Sequence, residues 1–411
     1  MTTRGSVGMT RRHATSFFLS CLLSYTGGHM VNYSVIIYAQ DVLGSDLLSG
    51  LGFALCFGPP LVLGWWAGVL CDRMSPVRLI HLSQLALLAS ALVLLAGHVG
   101  ASSAGWRTAC LLLAALLAGV SWSFVAPARM TALAQVVEPA QLPRGALLLN
   151  LLVMTGFGLG PLGISVLRVA GGWEAVLAVA AGLFVVSSVL LWPVLGVASH
   201  KVHRPVVEEV MEGLRAVRAS PLLSQLLLAA MFAYTLMGPM QVMLPKFARH
   251  ELALSELARG SFLGALAPAL IAGGVLAMLL ARRLANGPAI LVATVIGGAS
   301  FALLGWCTSA FAATLCLVAA GVSGGAAISL MVAGIQSQAP IWLRGRVLAM
   351  YTVASQVVPA ASGLLAGVLV HRLGAATAIS VAGSVIALVA LLNVAWMRAL
   401  RAYPGALRSP V

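Results

Sequence analysis

Long apolar runs alternate along the chain with short polar, proline-rich or glycine-rich interruptions, and within the runs apolar residues occupy every helical face. A stretch such as LLLAALLAGV at 111–120 keeps no polar side for water, which a surface helix of a soluble core requires. Transmembrane barrel strands alternate apolar and polar positions, so these runs are not strands of that kind either. The pattern predicts twelve helices, at about 15–40, 47–70, 79–97, 107–126, 146–168, 173–195, 223–245, 260–281, 287–306, 310–334, 347–370 and 375–398. A hydrocarbon core of roughly 30 Å is crossed by about 20 helical residues, so each run suffices for one passage. The expected fold class is an all-α membrane protein.

The longest polar interruption, residues 197–222, separates two sets of six helices, 1–196 and 223–411. Within it Val206, Val207, Val210, Leu214 and Val217 recur at helical spacing against Glu208, Glu209, Glu212 and Arg215, the pattern of an amphipathic helix on a membrane surface. The halves echo each other: Arg144-Gly145 and Arg344-Gly345 precede the fifth and eleventh helices, and basic turns stand at Asp72-Arg73 and Arg282-Arg283. Duplicated bundles flanking a central site are a common transporter plan.

Composition agrees with the pattern. Of 411 residues, 61% are hydrophobic and only 8% charged, far below the roughly 25% charged of soluble domains. A net charge of +14 would suggest nucleic acid in a soluble protein, but here it is read loop by loop. Eighteen of the 24 lysines and arginines fall on alternate loops beginning with the N-terminus, which predicts both termini and the 197–222 segment in the cytoplasm of a bacterial inner-membrane protein. The first apolar run continues to about Gln40 with no convincing small-residue cleavage site, so it is expected to remain as the first membrane helix. The six cysteines, in or beside apolar runs without a CxxC, read as packing residues. No cofactor or metal is implied. Neither a P-loop nor HExxH occurs, and the GxSxG at 321–325 lies inside a predicted membrane helix, where close packing explains it better than a nucleophile.

Polar residues inside the runs are the candidate chemistry. His29 in the first helix has Tyr25 and Thr26 a turn before it and Asn32 and Tyr33 a turn after, a cluster that faces a cavity or a helix rather than lipid. His29 either carries a coupling proton or is a hydrogen-bonded packing residue; Asp41, at the outer end of the same helix, is the second coupling candidate. Tyr234, Met237 and Gln241 in the seventh helix, and Gln336, Tyr351 and Gln356 near the tenth and eleventh, are either cavity walls or seams between helices. No acidic, lysine or arginine residue falls at a predicted helix centre. A cavity nearly free of fixed charge, and a neutral or internally compensated organic cargo, are therefore expected.

Two motifs give these features a family context. Gly68-Val69-Leu70-Cys71-Asp72-Arg73-Met74-Ser75-Pro76-Val77-Arg78 resembles the cytoplasmic-loop motif of the major facilitator superfamily, G-x-x-x-D-R-x-G-R followed by a basic residue. Gly68, Asp72 and Arg73 match, Ser75, Pro76 and Val77 depart, and Arg78 comes one place late. The resemblance implies that Asp72 contributes to a cytoplasmic gate, with Arg129 and Arg144 as partners to test. In the fifth helix Gly156, Gly160 and Pro161 resemble the superfamily's antiporter motif G-x-x-x-G-P-x-x-G-G, while Ile164 and Ser165 replace its last glycines. Residues 127–150, 212–223 and 343–350 resemble the branch that includes the enterobactin exporter and macrolide efflux proteins. The resemblance implies a monomeric proton antiporter exporting a small neutral or zwitterionic molecule, such as a siderophore or drug-like compound. A proton-coupled importer is the alternative, and a membrane-embedded lipid-modifying enzyme a more distant one.

Overall fold

Backbone amides and carbonyls find no water in hydrocarbon, so a chain this apolar pairs them within helices. The computed structural model describes residues 11–100, 103–194, 206–281, 283, 285–340 and 342–405, and among them there is no strand. The first half comprises α1 (Arg11–Asp41), α2 (Asp46–Phe57), α3 (Pro60–Arg73), α4 (Pro76–Val99), α5 (Ala104–Val136) and α6 (Leu142–Leu191). After α7 (Val206–Ala219) follow α8 (Pro221–Tyr234), α9 (Met237–His250), α10 (Glu256–Gly264), α11 (Leu266–Leu280), α12 (Asn286–Leu304), α13 (Ala310–Gln338), α14 (Arg344–Leu373), α15 (Ala375–Trp396) and the short α16 (Arg398–Arg401).

Among the described residues, ten segments are long and apolar enough to cross a membrane. One of them, α6, is two crossings. Gly171 and Gly172 leave helical geometry, Gly172 at φ 67° and ψ −158°, a region essentially reserved for glycine. Contacts with α1 show the reversal. Gly156, Gly160 and Arg168 meet Tyr25, His29 and Asp41 on the way out, and Ser187 and Leu190 meet Ser20 and Ser16 on the way back. The twelfth crossing is α1 itself, 31 residues long and about 46 Å at 1.5 Å per residue. Its apolarity is diluted by Ser20, Ser24, His29, Asn32 and Ser34, all buried, so its polar groups face neighbouring helices and not lipid.

Helix starts follow local chemistry. Ser45, Ser103, Ser220, Ser255 and Ser309 each precede a helix and accept a backbone N–H three residues on, satisfying a donor that the helix leaves free. Exposed Trp106 and Trp306 stand at one end of the bundles, and Trp66, Trp192, Trp342 and Trp396 lie toward the other, the end bearing the chain termini. Amphipathic indoles belong at the two membrane–water interfaces. Between them the outward faces expose Leu85, Leu92, Val189, Leu279, Leu365 and Leu392, as lipid contact demands.

Two broken crossings differ from the expected continuous runs. Gly58-Pro59 separates α2 from α3, and Thr235-Leu236 separates α8 from α9. A larger departure is α5, expected to stop at 126 before Pro127 but continuing to Val136 with the proline inside. Proline removes one backbone donor, yet α5 carries on past it, with Ser123 Oγ donating to Gly119 O at 2.9 Å and Thr131 Oγ1 to Pro127 O at 3.0 Å. The extension draws Arg129 into the helix. On the surface, α7 is tied to the second bundle by an ion pair from Glu212 to Arg346 and by Val217, which packs with Leu223 and Leu226; residues 197–205 of the expected linker lie outside the described residues.

The reversal at Gly172 yields a test. Ala at this position must adopt a backbone conformation costing about 1–3 kcal/mol, so Gly172→Ala should lower the melting temperature of the purified protein. Gly182→Ala, where a Cβ meets nothing within 4 Å, should not; equal melting of both variants would refute the assignment of the turn.

Candidate functional site

The end opposite the termini is closed by charge. Asp41, the last residue of α1, accepts from Arg168 Nη1 of α6 at 2.8 Å, pairs with Arg249 of α9, and lies 3.7 Å from Arg259 Nη1 of α10. Glu256 of α10 reaches back to Arg168 at 3.0 Å and pairs with Arg259. Beside this cluster Lys246 Nζ of α9 donates to Asp46 Oδ2 of α2 at 2.6 Å. The carboxylates of Asp41 and Asp46 are only 8% and 10% exposed, so these are not the freely solvated pairs that contribute roughly nothing. Each contact except those within α1–α6 or within α10 joins the first bundle to the second.

Below the charges the two bundles touch through small residues. A Cβ on Gly50 of α2 would lie 2.9 Å from both Gly363 O and Gly367 Cα of α14, and one on Gly264 of α10 would lie 2.9 Å from Gly158 O of α6. Gly260 meets Pro161 O and Ser165 in the same way. Such backbone approach is available only to small residues. The antiporter-like motif thus has two faces: Gly156 and Gly160 pack on α1 at Tyr25 and His29, while Gly158 and Pro161 meet α10. Gln40 Nε2 adds a hydrogen bond across the seam to Val242 O at 2.8 Å.

Toward the termini the bundles part. α2 lies along α14, whereas α3, after the Gly58-Pro59 break, diverges from it. The space between is a cavity of about 320 Å³ walled by Pro60 and Gly64 of α3, Trp122, Ser123, Ala126, Pro127 and Met130 of α5, and Ala349, Thr352, Val353 and Gln356 of α14. Its wall is mostly apolar with a few polar groups, the usual make-up of small-molecule sites.

Of the residues singled out from sequence, Gln356 lines this cavity. Tyr234 and Tyr351 are brought together across α8 and α14, their hydroxyls 2.7 Å apart. Asn32 is buried and accepts from Trp122 Nε1 at 3.3 Å; Tyr33 is buried against Phe157, their ring centroids 5.8 Å apart. Gln241 is buried at the far-end seam with Oε1 unpartnered, Met237 is half-buried among core residues, and Gln336 is exposed and takes no part. His29 is caged by Trp122 and Phe157, ring centroids 5.3 Å away in both cases, and neither imidazole nitrogen has a partner. The hydrogen bond expected of a packing histidine is absent among the described residues.

The expectation of a charge-free helix interior is overturned at Arg129. Its guanidinium is buried to 1% exposure inside α5, stacked over the Tyr25 ring at 4.0 Å, and its three nitrogens have no hydrogen-bond partner among the described residues. The acidic half of that expectation holds for Asp41 and Asp46, which are helix-end residues. In the loop motif, Gly68, Asp72 and Arg73 fall in the last turns of α3; Arg73, Arg78 and Arg144 are exposed, and the side chains at 68 and 72 lie outside the described residues. Sequence reading missed Arg168, Lys246, Arg249, Glu256 and Arg259, which form the far-end cluster, and the buried Ser20–Ser187–Gln84 cluster, where Gln84 Nε2 donates to Ser187 Oγ at 2.7 Å.

Comparison with known proteins agrees with this architecture. The sequence pattern described as Major Facilitator Superfamily matches residues 17–340. No curated protein sequence matches the chain. Among solved structures it is similar to a peptide transporter POT in complex with sulfate, at 13% identity and TM-score 0.74, covering 98% of this chain and 97% of that one. It is also similar to a bacterial homologue of the human lysosomal transporter Spinster, solved inward-facing and unoccupied, at 15% identity and TM-score 0.71 over 98% and 100% of the two chains. A POT family transporter in complex with 5-aminolevulinic acid gives 10% identity and TM-score 0.74 over 95% and 96%. Identities this low establish a shared fold. With twelve crossings in two bundles around a cavity, and the family pattern matched over most of its length, the chain belongs to the major facilitator superfamily, a family of transporters and not of enzymes.

Proposed function

We propose that the protein is a proton-coupled antiporter of a bacterial inner membrane that exports a small organic molecule of little or no net charge by alternating access, in the branch resembling siderophore and macrolide exporters. Its units are residues 1–196, a cytoplasmic amphipathic linker at 197–222, and residues 223–411, acting as a monomer. The observation that carries the reading is the asymmetry of the cavity: ion pairs and glycine contacts shut the far end, while the cavity lies between α3, α5 and α14 toward the end rich in arginine. With the arginine-rich end in the cytoplasm, this is the state in which an exporter loads. Comparing solutes inside and outside cells with and without the protein tests it. The cargo should be depleted inside and enriched outside; the reverse distribution would establish an importer, and no difference for any solute would remove the transport reading.

Orientation is tested by reporter fusions. Fusions at Pro205 and Ser409 should report cytoplasm and one at Gly100 the opposite side, since eighteen of the 24 basic residues lie on the first set of loops; an inverted result at any site breaks the assignment.

Gating is tested at both ends. Asp41→Asn leaves Arg168, Arg249 and Arg259 without their shared carboxylate and should bias the far end open. Spin labels at Leu47→Cys and Glu251→Cys should then move apart, with transport reduced. Asp72→Asn should also depress transport at unchanged abundance, but without that far-end separation. Normal transport in either variant would remove that residue from the gate.

His29 is the coupling candidate within the membrane. His29→Gln should abolish pH-gradient-driven accumulation while movement down a solute gradient persists. If accumulation survives unchanged, His29 is a packing residue, and Asp41, Asp72 or an uncoupled carrier remains.

A further inference from the structure

Among the described residues, Arg129 is a buried cation beside the cavity that neither packing nor the far-end gate accounts for, and the side chain of Asp72, its expected gate partner, lies outside them. Arginine stays protonated in any protein environment, and a buried cation without a counter-charge is strongly unfavourable. Here the described surroundings supply only the face of Tyr25, with the guanidinium carbon 4.0 Å from the ring centroid. That stack covers one face of the guanidinium plane. The N–H edges, which are the groups that bind oxyanions two at a time, are left without partners.

Position ties this cation to the cavity. Trp122, Ser123, Ala126, Pro127 and Met130 of α5 line the cavity, and Arg129, directly before Met130, is not itself a lining residue but is buried behind that wall. Its stacking partner Tyr25 is itself stacked on the wall residue Trp122, ring centroids 6.2 Å apart and planes 12° apart. One and two turns farther along that face of α1 come His29 and Asn32, both in contact with Trp122 and both with unpartnered nitrogens. A continuous row therefore runs from a cation, over two flat aromatic rings, to neutral hydrogen-bonding groups.

Resting on the transport reading above, we propose that the cargo carries a carboxylate that docks on the Arg129 guanidinium, with a flat apolar or aromatic portion against the cavity-lining Trp122. Such a molecule neutralises the buried charge while bound, and a zwitterion or a monocarboxylate satisfies the row. Within the cargo of little or no net charge proposed above, the site selects zwitterions and monocarboxylates of this shape.

The test uses purified full-length protein and two probes of equal shape, hippurate and its neutral amide, with binding read from tryptophan fluorescence and from the shift in melting temperature. Hippurate should bind saturably and raise the melting temperature, and the amide should bind at least about tenfold more weakly, as loss of a charge-assisted pair implies. Arg129→Met should lose the hippurate response yet melt no lower than the parent, since the substitution removes an unpaired buried charge. Arg129→Lys, which keeps the charge but not the two-pronged geometry, should bind hippurate about tenfold more weakly. Equal binding of acid and amide, no binding of hippurate, unchanged hippurate binding by Arg129→Met, or a lower melting temperature in that variant would each overturn the proposal. Binding is read without transport, so the two readings fail separately. Solute export by cells with no carboxylate response at Arg129 sinks this inference alone, whereas hippurate binding with no solute moved in either direction sinks the transport reading.

Discussion

The carboxylate of Asp41 is shared among arginines from three other helices, two of them in the opposite bundle. With Lys246–Asp46 beside it and the glycine contacts beneath, that pairing joins the two bundles at this end of the molecule. The carboxylates are 8–10% exposed and their cationic partners 14–40%; such part-buried charges attract one another more strongly than solvated ones, but removing them from water offsets much of the gain. Such a cluster therefore adds little net stability and instead penalises the partly separated state heavily: a half-broken pair strands a buried charge, at roughly 3–5 kcal/mol. That makes the contact a switch between closed and fully open rather than a graded spring.

The glycine seams beneath the cluster make the switch compatible with a membrane. Helices in lipid gain no hydrophobic free energy by associating, so close packing has to supply the attraction. Gly50 against Gly363 and Gly367, and Gly158 against Gly264, provide contact without interlocked side chains. Surfaces of this kind part and rejoin with little repacking. The interior of the first bundle differs: α1 is held to α6 by Ser20–Ser187 hydrogen bonds as well as by the Gly156 and Gly160 contacts.

Much of this was legible in the sequence, and the gaps have physical causes. The twelve crossings, the surface helix α7 and the small-residue face of the fifth crossing follow from apolar run length, spacing and glycine positions. The far-end cluster was encoded too, though as an exception. Six basic residues depart from the positive-inside pattern: Arg107, Arg168, Lys246, Arg249, Arg259 and Arg372. Four of them are the partners of Asp41, Asp46 and Glu256. A cation retained on the disfavoured side needs a reason, and acids confined to helix ends on that side supply one. Which acid meets which base across 88 to 218 residues of chain was beyond any local pattern.

Arg129 was misread for a different reason. A proline followed by polar residues marks the end of a soluble helix, because water takes over the backbone groups that the proline frees. In lipid there is no water to take them over, so the chain keeps its helix and absorbs the proline. The same constraint that makes the fold recognisable thus hides its most unusual charge: α5 runs two turns past Pro127 and carries a guanidinium behind the cavity wall. Solvent cannot neutralise it there, and Tyr25 screens only one face. An inventory of charge by predicted loop assigns such a residue to the surface, whereas an inventory by unpaired donor assigns it to the ligand.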